Sequence, residues 1–211
     1  MTAITDFYDY VMPHCPGLGK LLAFQSVRSA GIEFCERSLR YRYDHPAIDV
    51  VGNTSTYTLT PEASARVCDI LSVRYNGTLL DPATDDELDM LWTDWRTVAG
   101  SVGYYQGTLA MNAVKLIRTP DVSLTDGLTV VIAQAPVHNT TTFPDWMFER
   151  YREGIVAGAF MRLYAMPKKP WSDDGLSVYY GNMFDQAIGR ANTDKAQADT
   201  RKRLRTTPCF R

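Results

Sequence analysis

Apolar positions follow a helical period at both ends of the chain and a strand-like period in the middle. Ile4, Phe7, Tyr8 and Val11 recur at three- and four-residue spacing, which predicts a short helix over residues 4–12. Pro13 and Cys15-Pro16-Gly17 break it. Leu21, Phe24, Val27, Gly31, Phe34 and Cys35 share one face of a helix predicted over 18–42. His45-Pro46 closes that segment, because a residue before proline is pushed out of helical geometry.

From about residue 47 the runs become short and β-prone, separated by Gly, Asn and Pro. Strands are predicted at 48–51, 56–60, 67–75 and 78–80, the last two joined by an Asn76-Gly77 hairpin turn. Thr84 and Glu87 have capping-box spacing, so a helix starts there, with Leu88, Leu91, Trp92 and Trp95 as its apolar face. Further strands are predicted at 103–106, 110–117 and 128–135, with Asp126-Gly127 as a turn. Helical spacing returns after Pro144 with Phe148, Tyr151, Ile155, Ala159 and Leu163, and Gly154 and Gly158 allow another backbone close by. Ser172 is expected to cap a last helix over 173–198, with Leu176, Tyr179, Tyr180, Met183, Ala187 and Ile188 on its face.

These elements predict an α+β fold. An antiparallel four-helix bundle-like domain, residues 1–46 and 140–200, is interrupted by an inserted β-rich domain, residues 47–139. The insert is a small sheet or sandwich with one embedded helix. Residues 201–211 form an extended basic tail.

Charge sharpens this division. The 211 residues hold 22 Lys and Arg against 24 Asp and Glu, a net −2 that speaks against a dedicated nucleic-acid binder. Five of the 22 bases lie in residues 201–211, which contain no acid, so residues 1–200 carry a formal −7. Leu204, Cys209 and Phe210 are apolar residues inside the basic run, which favours a docking arm over a merely solvated end. No run approaches the ~18 apolar residues of a membrane span. The first residues show neither a basic nor an apolar leader region, so no secretory signal is expected. Cys15, Cys35, Cys68 and Cys209 form no Cys-x-x-Cys pair and are expected as free thiols.

Catalytic patterns are sparse. Gly17-Leu18-Gly19-Lys20 fails as a phosphate loop, since His14 and Leu21 stand where Gly and Ser/Thr are needed. His14, His45 and His138 lack partners at ligand spacing, so neither a metal nor a cofactor is expected. Asp85-Asp86-Glu87-Leu88-Asp89 is the one candidate for paired carboxylates, and helix capping accounts for its spacing.

Four phrases resemble one family. They are Asp6-Phe7-Tyr8-Asp9-Tyr10-Val11-Met12-Pro13-His14-Cys15-Pro16-Gly17 and Ala23-Phe24-Gln25-Ser26-Val27-Arg28-Ser29-Ala30-Gly31-Ile32-Glu33-Phe34-Cys35. The others are Phe143-Pro144-Asp145-Trp146-Met147-Phe148-Glu149-Arg150-Tyr151-Arg152-Glu153 and Ala165-Met166-Pro167-Lys168-Lys169-Pro170-Trp171-Ser172. In this order, over nearly the whole chain, they resemble the head-to-tail adaptor (neck, connector) proteins of tailed phages, of the tail tubular protein A type. The resemblance implies a structural virion protein, not an enzyme. It would form a dodecameric ring that joins the portal protein to the tail nozzle protein and continues the channel for DNA ejection. Viral DNA would pass through without sequence-specific binding. The protein would be made in the host cytoplasm, sit in the virion neck and touch no membrane. The portal-binding tail would be Arg201, Lys202, Arg203, Leu204, Arg205, Pro208, Cys209, Phe210 and Arg211. The alternatives are a small cell-wall hydrolase using paired carboxylates, or a basic-tailed nucleic-acid accessory factor.

Overall fold

A computed structural model of the chain describes residues 1–92 and 94–196. The fold is mixed α+β and divides into two compact units, Met1–Arg40 with the chain from Pro136 onward, and Tyr41–Ala135.

The helical unit begins with strand β1 (Thr2–Ala3) and a broken helical stretch. A 3-10 turn at Ile4–Phe7, helix α1 (Tyr8–Val11) and a second 3-10 turn at Met12–His14 stand where one helix was expected. Ile4, Phe7 and Val11 are completely buried, and Phe7 meets the edges of Phe143 and Phe148 at 5.9 and 5.1 Å. Helix α2 (Lys20–Ser38) buries Ala23, Val27, Ala30 and Phe34, one stripe at helical spacing, while Leu21 is exposed. It ends at Ser38, earlier than the predicted residue 42. Leu39 takes a left-handed conformation (φ 49°) and its N–H donates to the Cys35 carbonyl, so the chain turns before proline can act.

Helix α4 (Asp145–Tyr164) and helix α5 (Asp174–Ala196) complete the unit, which among the described residues has three long helices and a short, broken N-terminal stretch. The first turn of α5 is capped by Asp173, whose Oδ1 accepts from the Leu176 N–H at 2.9 Å, in place of the expected Ser172. The glycines of α4 are sites of close approach. A Cβ at Gly154 would collide with Ala187, and one at Gly158 would lie 2.8 Å from the Phe184 ring and 3.1 Å from Ala30. Ion pairs cross between helices, with Arg37 Nη2 2.7 Å from Asp185 Oδ1 and Arg162 paired to Glu33. Strand β11 (Thr142–Phe143) pairs antiparallel with β1.

The β unit contains β2 (Arg42–Asp44), β3 (Ile48–Val50), β4 (Thr56–Thr58), β5 (Ala65–Tyr75), β6 (Thr78–Leu79) and β7 (Asp81–Pro82). After α3 (Asp85–Leu91) come β8 (Tyr104–Thr108), β9 (Ala113–Ile117) and β10 (Leu124–Pro136). One sheet has the order β2-β10-β5-β6, with β3 also on β10, and the other has the order β4-β9-β8-β7. Leu59, Val73, Val114, Leu116, Leu128, Val130 and Ile132, from both sheets and the turn after β4, share one buried cluster. Asn76 and Gly77 both have positive φ (47° and 78°) and place Tyr75 opposite Thr78, the hairpin expected from that dipeptide. Asp126-Gly127 is not a turn between strands. It lies within β10, where the register against β3 shifts between Leu124 and Leu128, so the residues absorb a bulge. Ala110 and Met111, expected in a strand, belong to a 3-10 turn, Leu109–Met111, ended by left-handed Asn112.

Candidate functional site

The acidic run of α3 satisfies its own helix and its neighbours. The Glu87 N–H donates to Thr84 Oγ1 and the Thr84 N–H donates to Glu87 Oε2 at 2.8 Å, completing the capping box. Gln106 Nε2 donates to Asp85 Oδ1 at 2.6 Å, and Asp89 accepts from Arg96 and from Trp95 Nε1. The Thr84 backbone bond holds Glu87 below the usual carboxylate range, and the Arg96 bond does the same for Asp89. Sugar hydrolysis by a carboxylate pair needs one acid kept protonated, hence a raised pKa. Both shifts run the other way.

The histidines are dispersed. His14 stacks edge-on with Phe160 at 5.3 Å, and buried His45 is bonded to the Pro46 carbonyl and Thr60. His138 is exposed. Among the described residues no group of three His, Cys, Asp or Glu side chains could hold a metal ion. Burial raises the Cys15 thiol above its ordinary pKa and, with the neighbouring Cys15 second, pushes Tyr164 up to about 12, so neither is an activated group at neutral pH.

The surface is more informative than any cleft. The helical unit, counted to residue 196, has eleven acids and eleven bases, whereas the β unit has twelve acids against six bases. The negative charge of the body therefore belongs to the β unit. On α5 the residues expected in the core divide. Ile188 is buried, and so are Phe184 and Ala191, which were not on the expected face, but Leu176, Tyr179 and Met183 face solvent together with Val178, which is 66% exposed. In the β unit, Leu88 and Trp95 pack with Ile117, while Met90 is 82% and Leu91 53% exposed. Helix α3 stops at Leu91, so Trp92 and Trp95 of the predicted apolar face lie beyond it, and Leu91 itself is exposed. The tail residues Arg201, Lys202, Arg203, Leu204, Arg205, Pro208, Cys209, Phe210 and Arg211 lie outside the described residues.

The profile of the SU10 adaptor protein family matches residues 18–207. This chain belongs to that family. It is a phage adaptor protein with a structural role and a component of the virion. No curated protein matches the adaptor chain. The matched span takes in both compact units and runs through Arg201–Arg205 of the basic tail, so most of the tail belongs to the family pattern. Among the described residues, no helix of the adaptor is long and apolar enough to cross a membrane. The exposed half-face of α5 is the feature that sequence periodicity missed. Its signal was present in the number of apolar residues, since Leu176, Val178, Tyr179, Tyr180 and Met183 cover more than one side of a helix.

Proposed function

We propose that this adaptor assembles into a dodecameric ring between portal and tail nozzle, as expected of the tail tubular protein A type, and continues the DNA channel. Membership of a phage adaptor family over residues 18–207 carries this reading. The helical domain, residues 1–46 and 140–200, faces the portal, and the inserted domain, residues 47–139, faces the tail. The tail residues Arg201, Lys202, Arg203, Leu204, Arg205, Pro208, Cys209, Phe210 and Arg211 anchor the subunit on the portal.

Three features support the assignment. The outer face of α5 offers Leu176, Val178, Tyr179 and Met183 for a neighbour, as a ring built from heterologous contacts requires. The excess of acids in the β unit suits a conduit wall that repels phosphates and lets DNA pass without sequence-specific binding. The tail combines five bases with Leu204 and Phe210, charges for steering and apolar groups for burial.

Deletion of residues 201–211 is expected to abolish co-sedimentation with the portal while leaving thermal unfolding unchanged. Portal attachment at full strength by the truncated chain would remove the anchor role. Particle imaging of the assembled neck should show a twelve-fold ring, and another symmetry would overturn the stoichiometry.

A further inference from the structure

We propose that the groove between α3 and the edge of β8 receives an extended basic segment of another protein, which adds to the sheet at Gly107 and lays apolar side chains against Met90 and Leu91. The proposal goes beyond the ring reading and stands without it. Strand β7 covers β8 at one end only, with Asp81 opposite Tyr104 and Pro82 opposite Tyr105 in parallel register. The Ala83 N–H donates to the Tyr105 carbonyl at 3.0 Å, and the chain then leaves for α3. Backbone groups of a strand alternate between its two neighbours. Gly107, two residues after Tyr105, therefore aims its N–H and C=O at the side that β7 has left. Among the described residues neither group meets a backbone partner there, and Gly107 is exposed. An open strand edge is where a second chain pairs its backbone.

The surroundings of that edge state what it takes. A hollow of about 590 Å³ lies between the departing chain at Ala83, Thr84 and Asp85 and the β8 residues Tyr105 to Thr108. It shares Pro82, Ala83 and Glu87 with a second hollow of about 370 Å³, which Met90, Leu91 and Tyr104 complete. Met90 and Leu91 are uncovered although their helix buries Leu88, so this lip contributes little to folding and offers apolar area to a partner. Charge selects the occupant. Asp85 and Glu87 line the hollows, Asp81, Asp86 and Asp89 are exposed nearby, and no base lines either hollow. The three nearby bases are held elsewhere: Arg96 on Asp89, Lys115 5.0 Å over the Trp95 ring and Arg118 4.5 Å over Trp92. Asp81 and Asp86 have no ion-pair partner among the described residues. A cationic strand with apolar side chains on alternate positions matches all three features, the edge, the lip and the field.

Fluorescence anisotropy of the full chain with a labelled peptide of alternating Lys and Val tests this at low salt. The peptide should bind, and its Glu-Val counterpart should not. A Lys-Gly peptide of the same length should bind at least about fivefold more weakly, since it lacks the apolar side chains. Met90→Arg should weaken the Lys-Val peptide by a similar factor, whereas Val122→Arg, the same charge at another exposed site of the unit, should change it by less than about twofold. Amide-resolved hydrogen exchange should show the Gly107 N–H slowed by the Lys-Val peptide and that of Val114, on the paired strand β9, unchanged. Failure of the Lys-Val peptide to bind at about 1 mM overturns the proposal. So does equal binding of the Lys-Gly peptide, equal weakening by Val122→Arg, or a Gly107 amide that exchanges as fast with peptide as without. Slowing of the Gly107 amide as the chain alone is concentrated would make the occupant a second copy, and the proposal would fall.

Discussion

The two units use their charges in opposite ways. In the helical unit acids and bases are equal in number, and several are paired across helices. Arg37 bridges Glu33 and Asp185, Arg162 meets Glu33, and Arg150 and the Tyr151 hydroxyl both reach Asp194. In the β unit the acids outnumber the bases two to one and concentrate around α3, where Arg96 serves Asp85 and Asp89 together. A balanced set spends its charges on mutual positioning of helices. An unbalanced set leaves a field that acts on something outside the unit. The packing differs in the same sense. Helices α4 and α5 meet through Gly154 and Gly158 with no room for a methyl group, whereas α3 leaves Met90 and Leu91 uncovered.

That contrast can be broken most directly at Phe184. It is fully buried against Gly158, so Phe184→Ala should cost about 3–5 kcal/mol in urea unfolding. A loss below about 1 kcal/mol would mean that α5 is not held by tight packing. A smaller effect is expected from Thr84→Ala in the β unit, about 1 kcal/mol for a lost cap. Hydrogen exchange should place it on the amides of α3, and equal acceleration in α4 would erase the distinction. Smallest is the acid response. Glu87 and Asp89 have lowered pKa values, so their contribution is complete above the unfolded carboxylate range and is lost as pH falls through the lowered folded values. An acid titration of tryptophan fluorescence should show a step below the ordinary carboxylate range that Asp89→Asn diminishes. A step of unchanged size in that variant would show that Asp89 is not its source.

What could be read from the chain is what depends on neighbours in sequence. The capping box at Thr84 and Glu87 and the Asn76-Gly77 hairpin rest on residues a few positions apart, and each appears in the structure; Gly154 and Gly158 signalled a close approach, but not that Ala187, Phe184 and Ala30 would make it. The end of α2 does not, since nothing in the local pattern announces that Leu39 will take a left-handed conformation. The two-residue strands β1, β7 and β11 exist only because a distant partner presents its edge. For the candidate site, periodicity placed Leu176, Tyr179 and Met183 correctly on α5 but could not tell whether a neighbouring helix or solvent would meet them. The charge of the tail was legible, and so was its apolar content. The six acids from Asp81 to Asp94 were legible as a cluster, but the exposure of Met90 and Leu91 beside them was not.

The pairing of β2 with β10 has a consequence for how such proteins diversify. Arg42 lies opposite Ala133, and the Gln134 N–H donates to the Tyr41 carbonyl at 2.7 Å, so the strands that open and close the β unit run side by side. A stretch whose two ends are neighbours behaves as a cassette. It can be lengthened, trimmed or exchanged by recombination while the chain that follows resumes its course from nearly the same point. Selection is then free to refit the surface of this insert to a changing partner, generation by generation, without renegotiating the packing of α2, α4 and α5.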